Sequence, residues 1–192
     1  MRRSGKIIFD LGFLLIVSSF CLLFFLQYQT KQAKSINDEV VQIMETLLTN
    51  RREGEMDFER ESEMPVLELK GADYVALLEI PSQGLKLPIS NTWDKKEIML
   101  HPCKFEGSAY DGTLIIGGYD QTGQFDFFDT IQDGAAVIVT DMTGAAFSYE
   151  VKRVERSDSA ELKDLIDDKS DFTLFVRDAQ LLEYIFVRCV MK

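Results

Sequence analysis

Hydrophobic and polar positions change texture three times along the chain. Residues 11–28, LGFLLIVSSFCLLFFLQY, form an uncharged apolar run of 18 residues. As a helix they would rise about 27 Å, enough for a thin or locally adapted bilayer. In residues 30–50 the apolar positions Ile36, Val40, Ile43, Leu47 and Leu48 recur at helical spacing, widened by Val41 and Met44. This predicts a second helix, capped at Ser35 or Asn37, packed on the domain that follows. It is too short for sustained coiled-coil heptads. Residues 51–65, RREGEMDFERESEMP, are charged and poor in apolar positions, and read as a linker or frayed helix.

From Met64 the texture becomes short runs broken by turn residues. DYVALLEIP (73–81) and LKLPIS (85–90) read as strands joined by SQG. TLIIGGY (113–119) is a third strand, and AAVIVTD (135–141) a fourth after a QDG turn. MTG then makes a hairpin into AAFSYEVKRVE (145–155), where Phe147, Tyr149 and Val151 alternate. SAELKDLIDD (159–168) predicts a short helix capped by Ser157 or Ser159. FTLFVRD (172–178) and LEYIFVRCVM (182–191) complete seven strands and one crossover helix. The expected class is mostly β: a closed or nearly closed barrel of about seven to eight strands with short helices. Four regions follow: residues 1–10, the apolar run 11–28, a helix and linker 29–63, and the barrel 64–192.

Charge gives the ends of the chain different meanings. Arg2, Arg3 and Lys6 precede the apolar run, which predicts a cytoplasmic N-terminus and an extracellular barrel on an uncleaved, single-pass signal anchor in the cell membrane. Signal-peptide cleavage and a buried core helix are the alternatives. The net charge is −11, and residues 35–192 carry 16 basic against 31 acidic side chains. No basic footprint for nucleic acid exists. Cys21, Cys103 and Cys189 form no CxxC pair, and His101 is the single histidine, so no zinc, haem or other cofactor is expected.

In GTLIIGGYDQ (112–121) a β-branched run is cut off by two glycines, a tyrosine and an aspartate. A polar side chain just past such a strand is well placed for chemistry. This segment, preceded by HPCKFEGSAYD, resembles the stretch entering the catalytic strand of sortases, the membrane-anchored cysteine transpeptidases of Gram-positive cell envelopes. DYVALLEIP resembles their opening strand. FFDTIQDGAAVIVTDMTGAAFSYEV resembles their turn-and-hairpin region, DFTLFVRD their nucleophile strand and EYIFVRC their last strand. Residues 64–192 are most similar to the class B-like branch.

The resemblance implies a catalytic histidine, cysteine and arginine, and none is in place. Tyr119 stands where sortases carry the histidine of a Gly-His at the end of this strand, and Arg177 where Thr-Leu-x-Thr-Cys ends. Tyr184 occupies the arginine position, or Glu183 if the register shifts by one. A transpeptidase needs a thiolate nucleophile, a proton shuttle and a cationic donor for the carbonyl oxygen. Arg177 cannot be a nucleophile. A phenol of pKa about 10 is a poor shuttle at neutral pH. Tyr184 offers one neutral donor and an ionised Glu183 none. Arg188, four residues beyond Tyr184 and about 13 Å along the strand, suits a surface salt bridge better.

The resemblance therefore implies a catalytically inactive sortase-like envelope protein. Tyr119, Arg177 and Tyr184 would line an aromatic, cationic groove for an extended peptide or a carboxylate. Its partners would be a sorting-signal peptide, a pilin or surface protein, or an active sortase. Alternatively Arg177 pairs with Asp120 or Asp178 and the groove is closed. A second reading keeps activity through a relocated nucleophile, Cys103 with His101. A third is a relict without a ligand. Cys189 reads as a small buried hydrophobe, and Trp93, Phe125, Phe127 and Phe128 as core or rim.

Overall fold

The computed structural model describes residues 2–52, 63–159, 161–167, 169–178 and 182–192. Helix α1 runs unbroken over Arg2–Arg52. The first strands are β1 (Leu67–Leu69), β2 (Ala72–Ile80) and β3 (Leu85–Ser90). A one-turn helix α2 (Glu97–Leu100) leads to β4 (Cys103–Glu106) and β5 (Leu114–Tyr119). The hairpin β6 (Ala136–Asp141) and β7 (Ala146–Ser157) follows, then the single turn α3 (Leu162–Leu165). β8 (Phe172–Arg177) and β9 (Tyr184–Met191) end the fold.

The sheet order is β1-β2-β3-β4-β5-β8-β9-β7-β6, and β6 pairs back onto β2. Eight strands, β2 to β9, thus close a barrel, with β1 as an added edge. Closure satisfies the backbone groups that an open edge would leave exposed. The β3–β4 and β5–β8 pairs are parallel and the rest antiparallel. A parallel β5–β8 pair needs a long crossover, and the β6–β7 hairpin lies within it.

Alternation sorts the strand residues into two layers. Ala76, Leu78, Leu114, Ile116, Val137, Val139, Tyr149, Val151, Leu174, Val176 and Val187 fill the barrel. Tyr74 and Leu77 on the other face of β2 meet Val40, Val41 and Met44 of α1. Burial on both faces explains why residues 74–78 lack a polar position. Met64 joins the barrel core.

The predicted barrel is present, and several element boundaries differ from expectation. Two separate N-terminal helices were expected; the structure has one. No Pro or Gly falls in residues 29–52, so nothing interrupts the helical ladder. Asn37 and Ser35 are consequently not caps. Among the described residues no helix is long and apolar enough to cross a membrane. The exposed apolar side chains of residues 11–25 cover about 22 Å of helix. Residues 53–62 of the expected linker lie outside the described residues. The helix expected over 159–168 shrinks to α3. Strands β1 and β4 were not anticipated because three and four residues are too few for a period-two signal.

Candidate functional site

Three strands bring Tyr119, Arg177 and Tyr184 together. Tyr119 ends β5 opposite Arg177, which ends β8, and Arg177 lies opposite Tyr184, which starts β9. In-register neighbours share a face, so the three form a row across one end of the barrel. The pairing makes Tyr184, not Glu183, the neighbour of Arg177. Its guanidinium carbon lies over the Tyr184 ring, 5.9 Å from the centroid.

The glycines before Tyr119 are required by aromatic rings rather than by turn geometry. A Cβ on Gly118 would stand 2.1 Å from Phe125 Cδ2 inside the barrel. One on Gly117, facing outward, would stand 2.5 Å from the Trp93 ring. Phe125, Phe127 and Phe128 form the buried cluster expected of them. Beyond Tyr119 two glutamines fix the chain. The Tyr119 N–H donates to Gln124 Oε1, while Gln124 Nε2 donates to the Ile98 carbonyl at 3.2 Å. Gln121 Nε2 donates to the Met99 carbonyl at 2.8 Å. Buried Gln124 was missed in the sequence, where a glutamine in a polar loop carries no signal of its partners.

Among the described residues no salt bridge reaches Arg177. Asp178, expected as a possible partner, accepts from Arg156 Nη1 at 3.4 Å instead. Its backbone N–H donates to the Glu183 carbonyl, and Leu182 closes the turn with φ +59° and an exposed side chain. Tyr119 is also 44% exposed. Arg177 is exposed as well, and Tyr184 is half-buried.

Cys103 and His101 are placed differently. The Cys103 thiol is buried, contacts the His101 carbonyl oxygen at 3.4 Å, and is pushed up to about 12 by burial, reinforced by Glu97 and Asp94. A thiol so placed stays protonated at neutral pH. Both His101 ring nitrogens are occupied. Asn37 Nδ2 donates to the Leu100 carbonyl at 3.0 Å, which leaves its Oδ1 to accept from His101 Nδ1–H at 2.5 Å. Nε2 then accepts from the Tyr74 hydroxyl at 3.2 Å. Burial lowers His101 to about 4 and raises Tyr74 to about 12. This relay ties α1 to the barrel and leaves no imidazole nitrogen for the thiol.

A second apolar layer covers the outer face of β5, β8 and β9. Ile115, Phe175 and Phe186 pack with Leu165 of α3, edged by Phe105 and Tyr184. Arg188 holds that arrangement, and the surface role expected of it needs correction. It is 4% exposed. Its Nη1 donates to the Leu165 carbonyl at 2.6 Å and to Thr173 Oγ1 at 3.0 Å, and Nη2 to the Asp164 carbonyl. Nε meets Glu155 at 3.0 Å. Cys189 is a buried core residue, its thiol raised to about 12 by burial.

A cavity of about 510 Å³ opens at the opposite ends of β5 and β8, lined by Asp111, Leu114, Asp167, Asp171 and Phe172. Three of its carboxylates are engaged: Asp111 with Thr113, Asp167 with Arg153 and Ser170, and Asp171 with the Met191 N–H. Among the described residues its lining has no lysine, arginine, cysteine or histidine, and Tyr119, Arg177 and Tyr184 lie at the other end of these strands. No group of three metal-ligating side chains exists among the described residues.

A family model described as the sortase domain matches residues 78–181, more than half of the chain. Sortase A from Corynebacterium diphtheriae is similar in structure, with TM-score 0.57 and 17% identity over 86% of this chain and 93% of that one. A Clostridium perfringens sortase D5 transpeptidase gives TM-score 0.58 and 16% identity, covering 82% and 99%. Clostridium perfringens sortase C, solved with the C-terminal cell wall sorting motif, gives 0.56 and 19%, covering 85% and 95%. No curated protein matches significantly by sequence.

Proposed function

The chain belongs to the sortase family, and on that premise we propose that it is a sortase-like cell-envelope protein that binds peptide without transpeptidase activity. One observation carries this reading. Tyr119, Arg177 and Tyr184 stand side by side where the family's chemistry is expected, and they form a cationic, aromatic row in which Tyr119 and Arg177 are exposed. The row contains no thiol or imidazole, while Cys103 and His101 are buried in other contacts. Without a thiolate no acyl-enzyme forms. Arginine flanked by tyrosines remains well suited to holding a peptide carboxylate or carbonyl. The ligand is a sorting-signal-like peptide or the tail of a surface protein, and an active sortase is a further partner.

The class B-like placement belongs to the same proposal and rests on the sequence segments alone. So does anchoring in the membrane through residues 11–28 with the barrel outside. Exposed Phe13, Phe20 and Phe24 support it, and resistance to alkaline carbonate extraction tests it.

For the central reading, the full-length chain is incubated with sorting-signal-like peptides and a glycine or diamino acceptor. Peptide and protein are then weighed by mass spectrometry. Retained, uncleaved peptide is expected. A covalent adduct or cleavage that disappears in Cys103→Ala would overturn inactivity. Absence of both binding and turnover in a folded sample would mark a relict.

A further inference from the structure

Trp93 is the single tryptophan of the chain. It lies in the loop between β3 and α2 and is 42% exposed. Despite that exposure, one end of its indole is seated on bare backbone. A Cβ built on Gly117 would stand 2.5 Å from both Cη2 and Cζ3. Phe105 meets the indole edge-on, with centroids 4.9 Å apart, and Phe175 lies at 5.6 Å. The outer face of β5 thus carries a slot over Gly117, between two phenylalanines, and the protein's own loop fills it.

That slot lies one strand step from the cationic row. Gly117 pairs with Phe175, and two residues further along the same strands Tyr119 pairs with Arg177. Positions i and i+2 of a strand share a face and lie about 7 Å apart. An extended peptide presents alternate side chains at the same interval. Arg177 is exposed, joined by no salt bridge among the described residues, and sits in a molecule of net charge −11. Its local complement is a carboxylate.

Building on the reading of this row as a peptide-binding site, we propose that the groove selects an extended peptide carrying a bulky apolar side chain two residues from a carboxylate. The apolar side chain displaces Trp93 from the slot over Gly117, and the carboxylate pairs with Arg177. Trp93 is then both a plug and a reporter. Gly117 is what makes the slot, because a methyl group there would occupy the place of the ring.

The test uses the full-length chain and the probe acetyl-Gly-Phe-Ala-Asp-Gly-amide, followed by emission of the single tryptophan. A saturable red shift is expected as the indole leaves its seat. Replacing Asp by Asn, or Phe by Ala, in the probe should weaken binding at least tenfold. Arg177→Gln should abolish the preference for Asp over Asn while leaving the Phe preference. Trp93→Ala, followed by polarisation of a fluorescein-labelled probe, should bind several-fold more tightly because the competitor is gone. Gly117→Ala should red-shift emission without any probe. Binding with unshifted or blue-shifted emission, or equal binding of the Asp and Asn forms, would overturn this specificity and leave the groove a peptide site. The same holds if sorting-signal-like peptides bind through Arg177 and this probe does not. Failure of every peptide to bind would overturn both readings.

Discussion

Single residues here carry constraints that their own chemistry does not announce. Gly118 is held small by Phe125, so Gly118→Ala must push a core ring aside. The expected cost is about 1–3 kcal/mol, read as a lower midpoint in denaturant unfolding. His101 gives a pH signature. Burial holds it at about 4 in the folded chain, against 6.5 as the ordinary value. The unfolded chain therefore binds the extra proton between those values. The histidine's stabilising contribution is full above pH 6.5 and is lost as pH falls toward 4, up to about 3 kcal/mol in all. Glu97, whose carboxyl burial raises, acts in the opposite direction at the acid end. Comparison with His101→Gln isolates the histidine: the variant's stability should vary less with pH between 6.5 and 4. An unchanged slope would show that the relay does not titrate.

Elements show how such residues are held. α3 is one turn long, too short to be stable alone. It persists because Arg188 binds the carbonyls of Asp164 and Leu165 while Leu165 sinks into the outer apolar layer. Arg188→Leu should release this turn and cost about 2–3 kcal/mol. Hydrogen exchange should show the loss concentrated on residues around α3 and the Thr173 end of β8, with the rest of the barrel protected. α1 docks on β2 through Val40, Val41 and Met44, and on the end of α2 through Asn37, which meets Leu100 and His101. Met44→Ala removes a fully buried side chain and should cost about 2–5 kcal/mol. If the helix undocks separately, an α1 probe will report the transition before a barrel probe does.

At the scale of the whole molecule, barrel closure depends on pairings distant in sequence, above all β2 with β6 and β5 with β8. The parallel β5–β8 pair sets Tyr119 beside Arg177, and β9 adds Tyr184. Disturbing this register would scatter the row. Arg177→Ala, by contrast, changes an exposed strand end and should alter stability by no more than about 0.5 kcal/mol. Thermal unfolding checks that its effect on peptide binding is not a folding defect.

Seven of the nine strands, in their sequence order, were legible from the sequence alone, and so were the residues at the positions that the sortase resemblance marks for a histidine, a cysteine and an arginine. Alternation along a strand is a local signal, and TLIIGGY, FTLFVRD and EYIFVRC each announce themselves within a few residues. Side-chain identity at Tyr119, Arg177 and Tyr184 likewise needs no coordinates. The continuous α1 was half legible: its two apolar stripes are visible in the sequence, while their fusion into one helix rests on the lack of any breaker between them, which carries no periodic signal of its own. What tertiary structure alone decided depends on contacts between distant segments. His101 meets Asn37 across 64 positions, and Arg188 reaches α3 across more than 20. Trp93 settles on Gly117 because two strands and a loop converge there. No window along the chain contains both partners of such a contact, so periodicity and propensity cannot report it. Only the closed barrel, by bringing those segments within a few ångströms, turns a polar loop residue into a relay and an exposed tryptophan into a plug.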